Sequence, residues 1–357
     1  VARSKLFRLT QSPPWGVGCK VAHHRGRKPN LKRLYSSPLS GVSMPDISEK
    51  GRYRHWMSLL LPFTRAELPG WGRLLRTAGV MVPIWETSWD GAAARRCRGK
   101  LHGYEMTLHM DDWSERLTYF LGRYYELAVQ ETLLSVLRPG DRFVDVGANI
   151  GMISLVGAAA VGRSGCVDSF EPNPSARKRL SAHLEANDIK HATIHPVGLS
   201  DKAAKLTLNL TSTHSGTATL AAVDAEQVVE SVEVDVVRGE DILLADTRPV
   251  RAIKIDVEGF ELPALKGLRG LLERDRPFLI TEFTPETMSD PAAEFAALVA
   301  LLAPMGYRAF GLATRRRGLK HRTHLVTLSQ ESPPEGHPEL LWCSEAALED
   351  SGLSRPE

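Results

Sequence analysis

From residue 141 onwards, short apolar runs alternate with longer stretches that carry apolar side chains at helical spacing. The apolar runs predict strands over residues 142–146, 166–170, 193–197, 252–255 and 277–283. The stretches between them predict helices over residues 151–161, 174–187, 261–272 and 292–302. Strands that alternate with helices are typical of a mostly parallel sheet with helices on both faces. The pattern therefore predicts a doubly wound α/β fold.

Two regions interrupt this alternation. Residues 205–210 and 231–237 alternate apolar and polar side chains with a period of two, which predicts an inserted antiparallel pair of strands. Near the end of the chain, residues 307–312, 324–328 and 340–343 predict the strands that close the sheet.

The N-terminal third carries weaker patterns. Residues 1–43 show no sustained period and are rich in Arg, Lys, Ser, Pro and Gly, which favours a disordered tail or a mis-assigned start over a targeting peptide. Residues 57–118 predict a small cap with one or two helices and a hairpin near residues 104–112. A helix is predicted over residues 122–137, where the sequence RPGD at 138–141 ends it.

We therefore divide the chain into four parts. Residues 1–56 are the tail or mis-assigned start, 57–121 the cap, 122–345 the α/β domain and 346–357 a second tail. Charge separates the first part from the others, since residues 1–56 hold 12 Lys and Arg against 2 Asp and Glu while the whole chain has a net charge of only +3. The remainder is mildly acidic, so we expect no binding of nucleic acid.

Composition narrows the class of protein further. A chain of 357 residues that is 43% hydrophobic can bury a full core. The four cysteines form no C-x-x-C pair, so neither a zinc site nor a disulfide framework is indicated, and a reducing, cytoplasmic setting is expected. No apolar run reaches the roughly 18 residues that a membrane span needs.

A glycine-containing turn follows the first predicted strand, in the sequence FVDVGANIG at residues 143–151. The strand ends in Asp145, and the turn carries Gly147, Asn149 and Gly151. Ligands of open α/β sheets bind beyond the carboxyl ends of the strands, where this turn lies. The nicotinamide fingerprint needs glycines at positions 149 and 152, which this chain lacks. The turn predicts a ligand site of another kind, with a turn-stabilising role for Asp145 as the simpler alternative.

A second acidic residue, Glu171, ends the next strand within the sequence SFEPNP at residues 169–174. A carboxylate at this place can accept hydrogen bonds from both ribose hydroxyls of a nucleoside. Asn173 and Pro174 are typical of a helix start, as cap and first-turn residue. The simpler alternative for Glu171 is a helix-capping acid.

The sequence IKIDVEGFE at residues 253–261 places acids at the end of another strand. Asp256 and Glu258 lie where substrate should meet cofactor, and they could deprotonate a hydroxyl or coordinate a divalent cation such as Mg²⁺. Glu261 is as well explained as an acid at a helix N-terminus.

Taken together, and in their order along the chain, these motifs resemble those of the FkbM family of S-adenosylmethionine-dependent methyltransferases. The resemblance spans roughly residues 125–283 and rests on YE at 125–126, RPGD at 138–141, VDVGANIG at 144–151, FEPNP at 170–174, GLSD at 198–201 and KIDVEG at 254–259. It implies a class I methyltransferase fold, with a seven-stranded sheet and one late antiparallel strand. It also implies methyl transfer, usually to an oxygen. Gly198 departs from the family pattern, in which alanine is more usual.

The resemblance also implies roles for individual residues. The residues implied to bind the cofactor are Glu126, Asp145, Gly147, Asn149, Gly151, Glu171, Asn173, Ser200 and Asp201. The first five would contact its methionine part, Glu171 its ribose, and the turn at 198–201 its adenine. Asp256 and Glu258 are the candidates for catalytic base or metal ligand, with Glu282 as the third.

Three weaker signals are better explained by structure than by chemistry. His214 is a lone histidine in the inserted region, residues 109–112 indicate a polar hairpin turn, and the arginine-rich stretch at 315–322 indicates a solvated loop.

The sequence as a whole predicts a cytoplasmic methyltransferase that uses S-adenosylmethionine to methylate a hydroxyl of a small molecule or glycan. The alternatives are a nicotinamide-dependent oxidoreductase of similar topology and a non-catalytic nucleoside-binding protein.

Overall fold

The computed structural model of the chain describes residues 55–81, 89–210, 218–220, 228–285, 288–318, 320–334 and 339–353. The strands are β1 (Arg95–Arg98), β2 (Glu105–Leu108), β3 (Arg142–Val146), β4 (Cys166–Phe170), β5 (Ala192–His195), β6 (Gly198–Leu199), β7 (Ala204–Leu210), β8 (Ala218–Thr219), β9 (Glu230–Val237), β10 (Val250–Ile255), β11 (Phe278–Glu282), β12 (Arg308–Arg317), β13 (Lys320–Thr327) and β14 (Glu339–Cys343). The α-helices are α1 (Leu61–Arg65), α2 (Trp71–Thr77), α3 (Trp113–Leu121), α4 (Leu127–Val136), α5 (Met152–Val161), α6 (Pro174–Ala186), α7 (Gly239–Leu243), α8 (Glu261–Lys266), α9 (Arg269–Asp275), α10 (Pro291–Leu302) and α11 (Glu345–Asp350). His214 and residues 1–54 of the predicted tail lie outside the described residues.

The main sheet has eight strands in the order β13-β12-β14-β11-β10-β3-β4-β5. The strands from β11 to β5 are parallel, while β14 runs antiparallel to both of its neighbours. This is the predicted class I methyltransferase arrangement, with the late antiparallel strand in its expected place and an eighth strand, β13, added at the edge.

Strand β3 lies inside this sheet, between β10 and β4, and separates two apolar cores. All five of its residues are buried, as expected for a parallel strand covered by helices on both faces. Because side chains alternate along a strand, Phe143 packs into one core while Val144 and Val146 pack into the other. None of the helices in the described part of the chain combines the length and apolar character that a bilayer span requires.

The predicted antiparallel insertion is confirmed, since β7 pairs with β9 from Ala204↔Val236 to Leu210↔Glu230. These strands form a separate sheet with the order β6-β9-β7-β8 rather than joining the main one. The arginine-rich stretch at 315–322 was wrongly assigned to a loop. The pairing of β12 with β13 continues to Arg317↔Lys320, so most of this stretch lies within a hairpin.

Two predictions for the N-terminal part were wrong in position. The hairpin is formed by β1 and β2, which pair from Arg95↔Leu108 to Arg98↔Glu105, so residues 109–112 lie after it. Asp112 instead caps α3, because its side chain accepts hydrogen bonds from the backbone N–H groups of Ser114 and Glu115.

The helices predicted over 122–137 and 261–272 were also wrong in extent. Gly122 adopts a φ of 67° and ends α3, and the next helix begins only at Leu127. The second prediction corresponds to two helices, α8 and α9, which are separated by Gly267 and Leu268. A Cβ at Gly267 would lie 1.9 Å from the carbonyl oxygen of Ser200, so this position needs glycine for close packing.

Candidate active site

A cavity of about 230 Å³ lies at the carboxyl ends of β3, β4, β10 and β11, where the strand order of the sheet reverses. Seven predicted site residues line it: Gly147, Asn149, Glu171, Asn173, Asp256, Glu258 and Glu282. The other five predicted residues, Glu126, Asp145, Gly151, Ser200 and Asp201, are not part of its lining.

Gly147 begins the turn after β3 with a φ of 76°. A Cβ on this residue would lie 1.9 Å from the carbonyl oxygen of Asp256. Glycine is therefore required here whether or not a ligand binds, because the residue that follows β10 approaches the turn closely. Gly151 is required by helix packing, since a Cβ there would meet Leu180 of α6 at 2.4 Å.

Glu171 is held rigidly at the end of β4. One carboxylate oxygen accepts a hydrogen bond from the backbone N–H of Asn149 at 2.6 Å, and the other accepts from that of Asn173 at 2.8 Å. Burial raises the pKa of Glu171 to about 7. Asn173 also caps α6 as predicted, because its side chain accepts from the N–H of Ser175 at 2.9 Å. The carboxyl group thus has one orientation, towards the cavity.

Two buried acceptor atoms in this region have no hydrogen-bond partner: Oδ1 of Asn149 and Oδ1 of Asp145. The other oxygen of Asp145 accepts from the hydroxyl of Ser154 at 2.6 Å. Burial raises the pKa of Asp145, and its buried side chain is not part of the cavity lining. Unsatisfied acceptors of this kind are costly in isolation and indicate a ligand or water that donates to them.

The segment 198–201 after β5 contributes through β6. Gly198 and Leu199, which form this strand, line the cavity, whereas Ser200 is buried outside it and Asp201 is exposed. The implied adenine contact is therefore expected from β6.

Lys254 was not recognised from the sequence as a site residue, yet its side chain is buried in the cavity wall. Its ammonium donates to a carboxylate oxygen of Asp256 at 2.6 Å. Burial alone would lower the pKa of Lys254, but the charges of Asp256, Glu126 and Asp145 raise it above its usual range. In turn, burial would raise the pKa of Asp256, but Lys254 holds it below its usual range. The two residues therefore form a buried ion pair.

Further carboxyl groups surround this pair. Oxygen atoms of Asp256, Glu258 and Glu282 lie within 4.8 Å of one another. The pKa of Glu258 is raised to about 8, chiefly by burial and next by the charge of Asp256. The same two causes hold the pKa of Glu282 well above its usual range. Glu258 adopts a left-handed φ of 50°, which is uncommon for a residue with a side chain.

Two more acids lie near Lys254 without lining the cavity. Burial raises the pKa of Glu126 to about 7, and it holds that of Glu339 well above the usual range. Glu339 lies opposite Glu282 in the register of β14 and β11. No signal in the sequence identified it, because that register depends on the folded sheet. Glu261 instead accepts from the N–H groups of Val257 and Gly259, as expected for an acid at a helix start.

The chain before β3 supplies a further part of the wall. Asp112, Trp113, Ser114, Tyr124 and Tyr125 line the cavity, and sequence reasoning assigned none of them. The ring centroids of Tyr124 and Tyr125 are 4.5 Å apart, and those of Trp113 and Tyr125 are 5.1 Å apart. An aromatic cluster therefore faces the acidic one.

These pKa values predict a pH dependence of stability. Glu126, Glu171 and Glu258 have folded-state pKa values of about 7, 7 and 8 against an ordinary value of 4.5. The stability contributed by a carboxyl with a raised pKa is fully present below the unfolded pKa and is lost as pH rises through the folded pKa. We therefore expect the free energy of unfolding to fall between pH 6.5 and 8 in urea titrations. Burial lowers the pKa of His102 to about 4, so this histidine titrates in the folded protein at a pH below this window.

The matched control is the Glu258→Gln variant, in which the fall between pH 6.5 and 8 should be smaller. A free energy of unfolding that rises with pH over this window would contradict the assigned shifts.

Comparison with known proteins agrees with this geometry. The family described as methyltransferase FkbM domain matches residues 145–309. The chain is 28% identical over 188 residues to Methyltransferase 1 of Beauveria bassiana, covering 47% of this chain and 73% of that protein. It is 30% identical over 159 residues to the hexuronic acid methyltransferase AglP of Haloferax volcanii, covering 42% of this chain and 58% of AglP.

Among solved structures, the chain is similar to the methyltransferase FkbM of Methylobacillus flagellatus KT. The two chains are 20% identical with a TM-score of 0.36, and the match covers 64% of this chain and 54% of the other. The family match contains the ends of β3, β4, β10 and β11, from which most of the cavity is built. Residues 145–309 of this chain thus match the methyltransferase FkbM domain, the family that the sequence motifs resemble.

Proposed function

We propose that this protein transfers the methyl group of S-adenosylmethionine to a hydroxyl of a small molecule or glycan. One observation carries the proposal. A single cavity joins Glu171, fixed at the end of β4, to the carboxyl groups of Asp256, Glu258 and Glu282 at the ends of β10 and β11. A nucleoside at one end and an acceptor hydroxyl at the other would bring donor and acceptor together.

The cofactor end fits a nucleoside with a cationic tail. Both oxygens of Glu171 accept one backbone hydrogen bond each, and their remaining lone pairs can accept from ribose hydroxyls. Asn149 lines the cavity, and its buried Oδ1 has no hydrogen-bond partner, so this side chain is our candidate acceptor for an ammonium group. When bound, S-adenosylmethionine supplies a methyl group already activated by its sulfonium, so the chain mainly positions the acceptor and takes up its proton.

Glu258 is the best placed of the three carboxyl groups to take that proton. Asp256 is paired with Lys254, and its lowered pKa makes it a weak base. The pKa of Glu258, about 8, is close to the operating pH that favours general base catalysis. In the proposed step, the acceptor hydroxyl loses its proton to the Glu258 carboxylate as its oxygen forms the bond to the methyl carbon. The carbon–sulfur bond breaks at the same time and its electron pair stays on sulfur, which becomes a neutral thioether.

The charge at the acceptor end favours an uncharged acceptor group. Lys254 is the one cationic residue among the described residues in the cavity lining, and Asp256 already neutralises it. A carboxylate acceptor would therefore face further acids without a free cation, which is unfavourable. AglP is named for a hexuronic acid, which supports a sugar as the class of acceptor. We propose methylation at a sugar or small-molecule hydroxyl in preference to a carboxylate.

A divalent cation at Asp256, Glu258 and Glu282 is the alternative to a base. Their oxygens are close enough together to share an ion. However, the ammonium of Lys254 already binds one oxygen of Asp256 at 2.6 Å and would repel a second cation there. The donor set fits Mg²⁺ poorly, and we favour the base.

The direct test is transfer of a labelled methyl group from S-adenosylmethionine to a panel of neutral glycans, uronic acids and phenols. We expect label on a hydroxyl of a neutral acceptor. Calorimetric titration with S-adenosylhomocysteine and with NAD separates the methyltransferase from the oxidoreductase. Cofactor binding without transfer to any acceptor would support the non-catalytic nucleoside-binding protein instead.

Glu171→Ala is expected to weaken S-adenosylmethionine binding by about 1.5–3 kcal/mol, the range for hydrogen bonds to a charged group. The side chain would no longer accept from the ribose, whereas the cap of α6 by Asn173 would remain. Calorimetry measures the change, and Asp201→Ala, in an exposed residue outside the cavity, is the control. Wild-type affinity in a folded Glu171→Ala protein would remove Glu171 from the site.

A further inference from the structure

Tyr124, Tyr125 and Glu126 follow one another in the chain and converge on the acceptor end of the site. Both tyrosines line the cavity. Burial raises the pKa of both phenols, and the charge of Asp256 adds to the shift in each case. The two tyrosines thus line the same cavity as the carboxyl groups at the ends of β10 and β11.

The backbone of this segment lies between α3 and α4 and belongs to no helix or strand. Two buried side chains hold it instead. Arg123 donates from Nη1 to the carbonyl oxygen of Tyr124 at 2.7 Å and to that of Tyr125 at 2.9 Å. Gln130 donates from Nε2 to the carbonyl oxygens of Tyr124 and Glu126, at 2.8 and 2.9 Å. The position of the segment therefore depends on where these two side chains are fixed.

Arg123 is fixed by a residue distant in sequence. Its Nε and Nη2 atoms donate to the two carboxylate oxygens of Glu67, each at 2.8 Å, and both side chains are at least nine-tenths buried. Burial would raise the pKa of Glu67, but hydrogen bonds and charge from Arg123, and then from Lys100, lower it to about 2. Glu67 is therefore ionised at any physiological pH and holds the guanidinium in a bidentate geometry.

We propose that Arg123 is a positioning residue: Glu67 orients its guanidinium, and the guanidinium sets the position of Tyr124 and Tyr125 at the acceptor end of the cavity. The planar fork is essential, because Arg123 uses two nitrogens for Glu67 and the third for both carbonyl groups. A lysine would keep the charge but could not make all of these bonds from one fixed position. The inference gives residues 55–81 a part in the site although none of them lines the cavity.

The test with acceptor and cofactor rests on the proposed function. For Arg123→Lys and Glu67→Gln, the KM for an acceptor found in the glycan panel and the affinity for S-adenosylhomocysteine would be measured. We expect the KM to rise at least about tenfold, equal to about 1.4 kcal/mol, because Tyr124 and Tyr125 line the acceptor end of the cavity. Affinity for S-adenosylhomocysteine should stay within twofold, since Glu171 is untouched. Lys100→Met is the matched control: it removes the other cation that contacts Glu67 and leaves Arg123 in place.

An unchanged KM in both variants would overturn the inference. So would an equal loss for the acceptor and for S-adenosylhomocysteine, because that is the result of general misfolding. If the wild-type protein transfers a methyl group to no acceptor, the proposed function fails while the inference is still tested by near-ultraviolet circular dichroism. A changed tyrosine signal in both variants, with unchanged far-ultraviolet spectra, would then support it, and unchanged spectra would overturn it.

Discussion

Lys254→Met is expected to lower the free energy of unfolding by about 3–5 kcal/mol, the usual cost of removing one partner of a buried ion pair. The substitution leaves Asp256 as a buried charge and removes the cation whose charge lowers the pKa of Glu126 and of Asp145. Urea unfolding at pH 7.5 measures the loss. At pH 5 the loss should be smaller, because the pKa of Glu126 and that of Asp145 are raised and more of these carboxyls are then neutral.

The double variant Lys254→Met/Asp256→Asn is the matched control. It removes both charges of the pair, so a large part of the lost stability should return. A loss below about 1 kcal/mol in the single variant would show that water reaches the pair, and the argument for a buried cluster would fail.

Glu258→Gln is expected to lower the rate of methyl transfer by at least ~100-fold, since general base catalysis contributes typically 100- to 10,000-fold. The amide keeps the shape of the side chain but cannot take the proton. Affinity for S-adenosylmethionine should stay within a few-fold, because the residue faces the acceptor. Single-turnover transfer to an acceptor found in the glycan panel measures the first quantity, and calorimetry the second. In the wild-type protein the rate should rise with pH towards about 8, the pKa of Glu258.

Asp256→Asn and Glu282→Gln are the comparisons that identify the base. If Asp256→Asn loses the larger factor while Glu258→Gln transfers at a near-normal rate, the base is Asp256. Chelation with EDTA tests the metal alternative and is expected to leave the rate unchanged. A loss restored by Mg²⁺ would reverse the assignment.

Much of the site could be predicted because its parts are local in sequence. Three parts of the site each follow an apolar strand directly: the turn after β3, Glu171 after β4 and Asp256 after β10. Parallel strands place their carboxyl ends at the same edge of a sheet, so recognising the strands was enough to bring these residues together. The same reasoning predicted the order of elements in the α/β domain and the cap of α6.

The predictions were wrong where pairing between distant segments decides the outcome. The hairpin formed by β1 and β2 was displaced in the prediction because the apolar pattern there is weak and its register depends on cross-strand contacts. The arginine-rich stretch of β12 and β13 has the composition of a loop. The hydrogen bonds of the hairpin, which continue to Arg317↔Lys320, make it part of the sheet.

The sequence by itself determined the α/β fold, the resemblance to one family and the residues at the ends of the strands, because each depends on a short pattern of side chains. Only the tertiary structure showed that Asp256 is paired with Lys254, that Glu339 lies opposite Glu282, and that Gly147 makes room for a backbone carbonyl. It alone also connected Glu67 to the cavity through Arg123. The physical reason is that burial and charge pairing set the pKa of each acid, and both come from neighbours that are distant in the chain or on another strand.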